Sequence, residues 1–276
     1  MVKAKITVIT VCYNAVNTLE RTIQSVLNQT YDNIEYIIID GGSTDGTVEI
    51  IKKYADTLTY WVSESDKGIY DAMNKGILHS TGVWINFMNA GDCFYSVDTV
   101  SKISCCFSPY NMVVYGNIIK CFKHYRIRSF SLNVERDIDA IDFFRNNIHH
   151  QAAFIKRGLF NKYGMYDTNY HLASDWKFFM EVVGIGGEKS EYVNMDVCLF
   201  AMDGVSTLRC NDYAEEINHI LKNKFGSFYP YFKELSEYRN SKWARYALKL
   251  RICIRKTGLG HRIKNFFAFW QTLLSK

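Results

Sequence analysis

Trp84–Asp92, WINFMNAGD, decides how this chain is read. A short, mostly apolar run of strand length stops abruptly at Asn89, Ala90, Gly91 and Asp92. A buried strand that empties into a glycine turn with a carboxylate at its tip is how an open α/β sheet presents a ligand group, because ligands sit beyond the carboxyl ends of the strands. Two earlier runs end in the same way. Ile6–Val11 leads into Cys12, Tyr13 and Asn14, and Ile34–Ile39 leads into Asp40, Gly41, Gly42 and Ser43. Three strands delivering polar groups to one edge predict a site there.

Working outward, helical spacing follows each strand. Leu19, Ile23, Val26 and Leu27 share one face, then Val48, Ile51 and Tyr54, then Ile69, Ala72, Met73 and Ile77. The near-continuous apolar character of EYIIID (35–40) is expected of a strand covered on both faces. Leu58–Val62 adds a short strand. This alternation predicts an α/β fold with a mostly parallel, Rossmann-like sheet flanked by helices. Farther on, Met112–Asn117 and the basic stretch Lys120–Arg128 predict antiparallel strands at the sheet edge. A short helix is expected over Ile138–Phe144, a helix after Asp175, a late strand over Val197–Met202 and a helix over Asn211–Phe225.

The 276 residues, 48% hydrophobic and 15% aromatic, suffice for one large domain with an appendage, and disorder is excluded as the general state. Eight cysteines occur without a C-x-x-C pair. With no secretory leader visible before the first strand, reduced thiols in a cytosolic compartment are expected. No apolar run approaches the ~18 residues of a membrane span. Beyond Glu237 there is no acid, yet ten Lys and Arg residues follow, which exceeds the net charge of +5, so the rest of the chain is net acidic. These cations alternate with Trp243, Tyr246, Leu250, Phe266, Phe267, Phe269 and Trp270. The division expected is a domain over 1–225 and a basic, amphipathic helical extension over 226–276 suited to an anionic membrane surface. No nucleic-acid reader motif accompanies the charge, so nucleic acid is not an expected partner.

Four segments, VITVCYN (8–14), SVLNQTYDNIEYIIIDGGSTDGT (25–47), SDKGIYDAMNKGI (65–77) and GVWINFMNAGD (82–92), follow one another in the order and spacing of the family 2 glycosyltransferases of the GT-A fold. The chain resembles the members that build bacterial exopolysaccharide, colanic-acid-type and O-antigen units. The resemblance implies transfer of a sugar from a UDP- or GDP-sugar to a glycan acceptor, one carried by a polyprenyl diphosphate, at the inner face of the cell membrane. It also implies that Thr10, Tyr13, Asn14 and Asp40 line the nucleotide pocket. Asp66 and Asp71 would meet sugar or ribose hydroxyls, which carboxylates bind through charge-assisted hydrogen bonds, with Asn74 beside them. Many relatives have a second acid where this chain has Gly41, and an Arg where it has Met73.

In the family a D-x-D segment holds Mg²⁺ or Mn²⁺ against the donor diphosphate. Here that segment is Asn89-Ala90-Gly91-Asp92, so Asp92 is the remaining metal carboxylate and Asn89 can offer only a carbonyl oxygen. His150 and Gln151 precede an apolar run where relatives place a His-Gln facing donor phosphates or acceptor. Ser174-Asp175 stands where relatives open a helix with an acidic motif, which makes Asp175 the expected catalytic base of an inverting transfer. Ser206, in Asp203–Ser206, falls in a loop that often closes over the donor. Two other readings remain: a sugar nucleotidyltransferase, which would want a basic glycine-rich loop where CYNAVNTLER stands, and a degenerate scaffold that binds without turnover.

Overall fold

The computed structural model describes residues 3–134, 136–202 and 209–240. By its internal contacts the chain divides into two units, Met1–Gly226 and Ser227–Lys276. In the second, α8 (Tyr229–Asn240) is described. The membrane reading of the basic tail concerns residues 239–276 and, past 240, lies outside the described residues, as does Ser206.

The first unit is built on a nine-stranded sheet. Its strands are β1 (Ile6–Cys12), β2 (Ile34–Asp40), β3 (Tyr60–Ser63), β4 (Trp84–Phe87), β5 (Cys93–Phe94), β6 (Val113–Cys121), β7 (Arg126–Ser129), β8 (Ala153–Lys156) and β9 (Ser190–Ala201). The order is β3-β2-β1-β4-β8-β6-β9-β5, with β7 added to β6. β1 to β4 are mutually parallel, in register from Ile6↔Ile34 to Cys12↔Asp40 and from Ile6↔Trp84 to Ile9↔Phe87. β8 then runs antiparallel to β4 and β6 antiparallel to β8, while β9 returns parallel to β6. The run of four neighbouring parallel strands is thus confined to the N-terminal half, and beyond β4 parallel and antiparallel pairings mix. The hairpin expected over 112–128 exists as β6 and β7, but β6 itself lies inside the sheet between β8 and β9.

Helices cover this sheet because its strands alternate their side chains between two apolar faces. On one face Ile6, Val8, Tyr36, Ile38 and Trp84 join Leu19, Ile23 and Val26 of α1 (Leu19–Leu27) and Ile51 of α2 (Thr47–Lys53) in one buried cluster. On the other, α3 (Ile69–His79) lies along β1 and β2 and buries Ala72, Met73 and Ile77. α4 (Thr99–Ser104) and α5 (Gly158–Tyr163) are short. α6 (Ser174–Phe179) opens with Ser174, Asp175 and Trp176 all buried and continues as a π-helical turn over Met180–Ile185. α7 (Cys210–Phe225) closes the unit. The expected helix over 138–144 is a 3₁₀ turn, Ala140–Phe144, held by a capping box between Asp139 and Asp142.

Candidate active site

β1, β2 and β4 all end at the same edge, as their parallel register requires, and a cleft of about 750 Å³ opens there. Its wall includes Tyr13 after β1, Asp66 and Asp71 around the start of α3, Asn89 and Asp92 after β4, His150 and Gln151 before β8, and Asp175 at the start of α6. Gly91 takes φ +101°, a left-handed conformation that admits glycine at little cost, and so lets the chain turn sharply between Asn89 and Asp92.

Asp175 is the most heavily engaged acid of the cleft. The Tyr70 hydroxyl donates to its Oδ1 at 2.7 Å, and His150 Nδ1 lies 2.6 Å from its Oδ2. Burial pushes this carboxyl up, but the neighbouring His150 and the hydrogen bonds from His150 and Tyr70 outweigh it, and the group ends below the ordinary aspartate range. Burial and then Asp175 raise the Tyr70 phenol, which therefore stays a donor. On its other side, His150 Nε2 lies 3.3 Å from Asn89 Nδ2. His150 thus links the acid of α6 to the turn after β4. Glu216 of α7 holds the approach to α6: its carboxylate accepts from the backbone N–H groups of His171, Leu172 and Ala173 at 2.9–3.0 Å.

Asp92 is the opposite case. It is 5% exposed and accepts the Ala201 N–H at 3.0 Å. Burial dominates and carries its carboxyl up to about 7, against the pull of the Ala201 N–H, His150, Gln151 and Arg21. Arg21 of α1 approaches the same turn, donating to the Gly91 carbonyl at 2.5 Å. Asn89 Oδ1 and Asn147 Oδ1, both in cleft residues, are buried without a hydrogen-bond partner among the described residues. A buried acid with few donors beside an unpartnered carbonyl oxygen is a donor set that fits a hard cation, which accepts one or two protein oxygens and completes its shell with water and phosphate. Three or more His, Cys, Asp or Glu side chains do not gather as a metal cluster anywhere among the described residues.

Four residues expected at the nucleotide are set apart from the cleft wall. Thr10 is fully buried within the sheet, its hydroxyl donating to the Met88 carbonyl at 2.7 Å and lying 3.0 Å from the Tyr36 hydroxyl. Asn14 adopts φ +47° and turns its side chain to the Thr44 N–H, tying the loop after β1 to the loop after β2. Asn74 clamps the Tyr166 backbone, accepting its N–H at 3.0 Å and donating to its carbonyl at 2.8 Å. Asp40 is fully buried and accepts from the Gly42 and Ser43 N–H groups, the Ser43 and Ser63 hydroxyls and the Cys12 thiol. Burial alone would raise its pKa, yet these donors hold it below the aspartate norm. The Asp40 carboxylate is thus engaged by the turn after β2 and by Ser63 of β3. Asp66 faces the cleft instead, and its carboxylate fills the space a side chain at position 41 would need. The carboxylate beside Gly41 thus comes from the loop before α3.

Tyr70, Arg21, Asn86 and Glu216 escaped sequence reasoning. Tyr70 lay within a quoted motif, SDKGIYDAMNKG, but nothing local pairs it with a residue 105 positions away. Asn86, mid-strand in WINF, was the available signal of a polar task inside the core: its Nδ2 donates to the Gln151 and Ala153 carbonyls at 3.1 and 3.0 Å and so fixes the segment bearing His150.

Residues 7–164, more than half of the chain, match the family model "Glycosyl transferase family 2". A "PGL/p-HBAD biosynthesis glycosyltransferase" of Mycobacterium tuberculosis is 34% identical over 170 residues, 60% of this chain and 64% of that protein, so the match spans less than two thirds of the relative's length. An "uncharacterized glycosyltransferase" of the same organism is 33% identical over 185 residues, covering 63% and 67%. Among solved structures, Staphylococcus aureus TarS 1–349 superposes with TM-score 0.65 at 14% identity, over 91% of this chain and 77% of that one. The mannosyltransferase PcManGT of Pyrobaculum calidifontis, in complex with GDP-Man and Mn²⁺, gives 0.60 at 19%, over 92% and 81%. At these identities the two structures speak for the fold, a mixed α/β sheet of GT-A type.

Proposed function

The chain belongs to glycosyl transferase family 2, and from that premise we propose that it is an inverting glycosyltransferase. In this reading it moves a hexosyl unit from a nucleoside-diphosphate sugar to a hydroxyl of a glycan acceptor in cell-surface polysaccharide synthesis. The observation that carries the reading is one cleft lined by both Asp92 and Asp175, with His150 between them. TarS has been solved with UDP and with UDP-GlcNAc, and PcManGT with GDP-Man, which supports a nucleotide-sugar donor of either base here.

Asp175 acts as the base. As the acceptor hydroxyl oxygen forms its bond to the anomeric carbon, the bond from that carbon to the diphosphate breaks on the opposite face, and the hydroxyl proton passes to the Asp175 carboxylate. A carboxylate held ionised is ready to accept it, and a positioned general base contributes roughly 10²- to 10⁴-fold. Tyr70 and His150 orient the carboxylate through one oxygen each. Asp66 and Asp71 take hydroxyls or the base of the donor, and Tyr13, 65% exposed, offers a ring to stack on it. Asp92 and the Asn89 carbonyl oxygen would hold Mg²⁺ or Mn²⁺. When bound, that cation neutralises charge developing on the diphosphate. Gln151 steadies Asp92.

A carrier lipid under the acceptor is the finer part of the reading. It places the protein on the cytoplasmic face of a membrane, and no described helix is long and apolar enough to cross one. A thermal-shift screen of UDP-, GDP- and dTDP-sugars with Mn²⁺, followed by nucleotide release with the stabilising donor, tests the proposal. A bound donor raises the melting temperature according to its occupancy. Stabilisation by a donor with release abolished in Asp175→Asn supports transfer. Stabilisation without any release by the unaltered chain would convert the reading to a binding scaffold.

A further inference from the structure

Between Asp98 and Glu135 the chain contains no acidic residue. The centre of that interval is the β6–β7 ribbon, whose residues 119–130 carry Lys120, Lys123, Arg126 and Arg128. Among the described residues β7 pairs with β6 alone, as an edge strand. At the turn Phe122 and Tyr125 stack at 4.5 Å and 17°. Tyr125, Ile127 and Phe130 are 56%, 49% and 63% exposed. Arg128 lies over the Phe130 ring at 5.0 Å and pairs with Asp196, whereas Lys123 and Arg126 make no ion pair among the described residues. The register sets Ile127 opposite Lys120, and Lys120 with Ile118 lines the cleft, so this ribbon continues the cleft wall outward.

We propose that the ribbon formed by residues 119–130 is a lipid-contacting element that seats the mouth of the cleft on an anionic membrane surface. The inference rests on the carrier-lipid part of the proposed function and gives it a location in the folded domain, independent of the basic tail. Cations on an edge strand are a common defence against strand addition, and that would account for Lys123 and Arg126. It does not account for exposed Tyr125, Ile127 and Phe130 interleaved with them. A hydrated polyanion would be met by the cations alone, while the headgroup region of a bilayer takes both, cations at the phosphates and aromatic or branched apolar groups just beneath. A carrier-linked acceptor has its diphosphate at that same depth, beside Lys120 and the cleft.

The test follows amide hydrogen exchange of the full-length chain with vesicles of phosphatidylcholine alone and of phosphatidylcholine with phosphatidylglycerol. Amides of residues 122–130 are expected to slow with the anionic vesicles only. Lys123→Ser/Arg126→Ser and Tyr125→Ser/Ile127→Ser, all at exposed positions, should each weaken binding to anionic vesicles about tenfold, while donor-dependent nucleotide release in vesicle-free solution stays unchanged. Exchange at 122–130 that ignores anionic vesicles, even if other segments of the chain are protected, overturns the proposal. So does equal protection by neutral vesicles, or protection by a soluble acidic polysaccharide and not by vesicles. Failure of the glycosyltransferase reading itself shows separately, as absent nucleotide release with vesicle binding intact.

Discussion

The two ends of the central strands treat a buried carboxylate in opposite ways. At the end where β1 and β2 begin, Glu35 is 2% exposed and receives Lys5 Nζ at 2.8 Å, the Thr7 hydroxyl at 2.5 Å, the Thr81 hydroxyl and N–H at 2.6 and 2.7 Å, and the Gly82 N–H at 3.2 Å. Burial would raise its pKa, but those donors win and bring it down to about 2. At the other end Asp92, equally buried, has too few donors and sits at about 7. A fully satisfied acid locks three chain segments together and has nothing left to offer a ligand. An under-satisfied one costs stability and keeps its lone pairs for a partner that arrives later, which is why a site so often carries local instability.

The sharpest way to break this contrast is at Asp175. Asp175→Asn keeps the shape and removes the base, so turnover should fall about 10³-fold, within the range expected for a general base, while donor stabilisation measured by thermal shift changes little. Turnover within tenfold of the unaltered chain would sink the assignment. Asp92→Asn should lose about 10²-fold in turnover and abolish the stabilisation that Mn²⁺ gives the unaltered protein. It should also melt higher above neutral pH in the absence of metal. The sign follows from a folded pKa raised from 3.8 to about 7: the unaltered protein is stable below the unfolded value and loses stability as pH rises through this window, by at most about 4 kcal/mol. A melting-temperature gap that does not widen from pH 4 to pH 7 would contradict the burial argument.

Glu35→Gln strikes the satisfied end. It should cost about 3–5 kcal/mol in urea unfolding at pH 7, as expected on breaking a buried ionic network, with turnover per folded molecule unchanged. Because the folded pKa is lowered, the stability Glu35 supplies is present above pH 4.5 and fades as pH falls toward 2. The difference between Glu35→Gln and the unaltered chain should shrink in that window. The smallest effect is expected at the nucleotide: Asp66→Asn should raise the donor KM roughly tenfold with kcat held, since one charge-assisted hydrogen bond is lost in ground and transition states alike. If Asp40→Asn raised KM more than Asp66→Asn without unfolding the protein, the donor role proposed for Asp66 would be wrong.

Much of this was open to reading from the chain. The apolar runs of β1, β2 and β4, each ending in polar residues, fix a parallel sheet and the edge where ligands gather, and Tyr13, Asp66, Asp71, Asn89, Asp92, His150, Gln151 and Asp175 do meet in one cleft. Thr10, Asn14, Asp40 and Asn74 do not, because a polar residue near a strand end can serve the turn as well as the ligand, and sequence spacing does not separate the two uses. β8 runs against β6 while β9 runs with it, through long-range pairings, Val114↔Phe154 and Ile118↔Cys198 among them, that no local period announces.

By itself the sequence determined where strands and helices form, which edge collects polar groups, and the family to which the motifs belong, for these depend on neighbours a few residues apart. Only the tertiary structure decided which acids are spent and which are kept. The charge state of Asp92 depends on burial and on Arg21, His150 and Ala201, and that of Asp175 on Tyr70 and His150. Solvation and hydrogen bonding are properties of the surroundings, and those surroundings come together from the whole length of the folded domain.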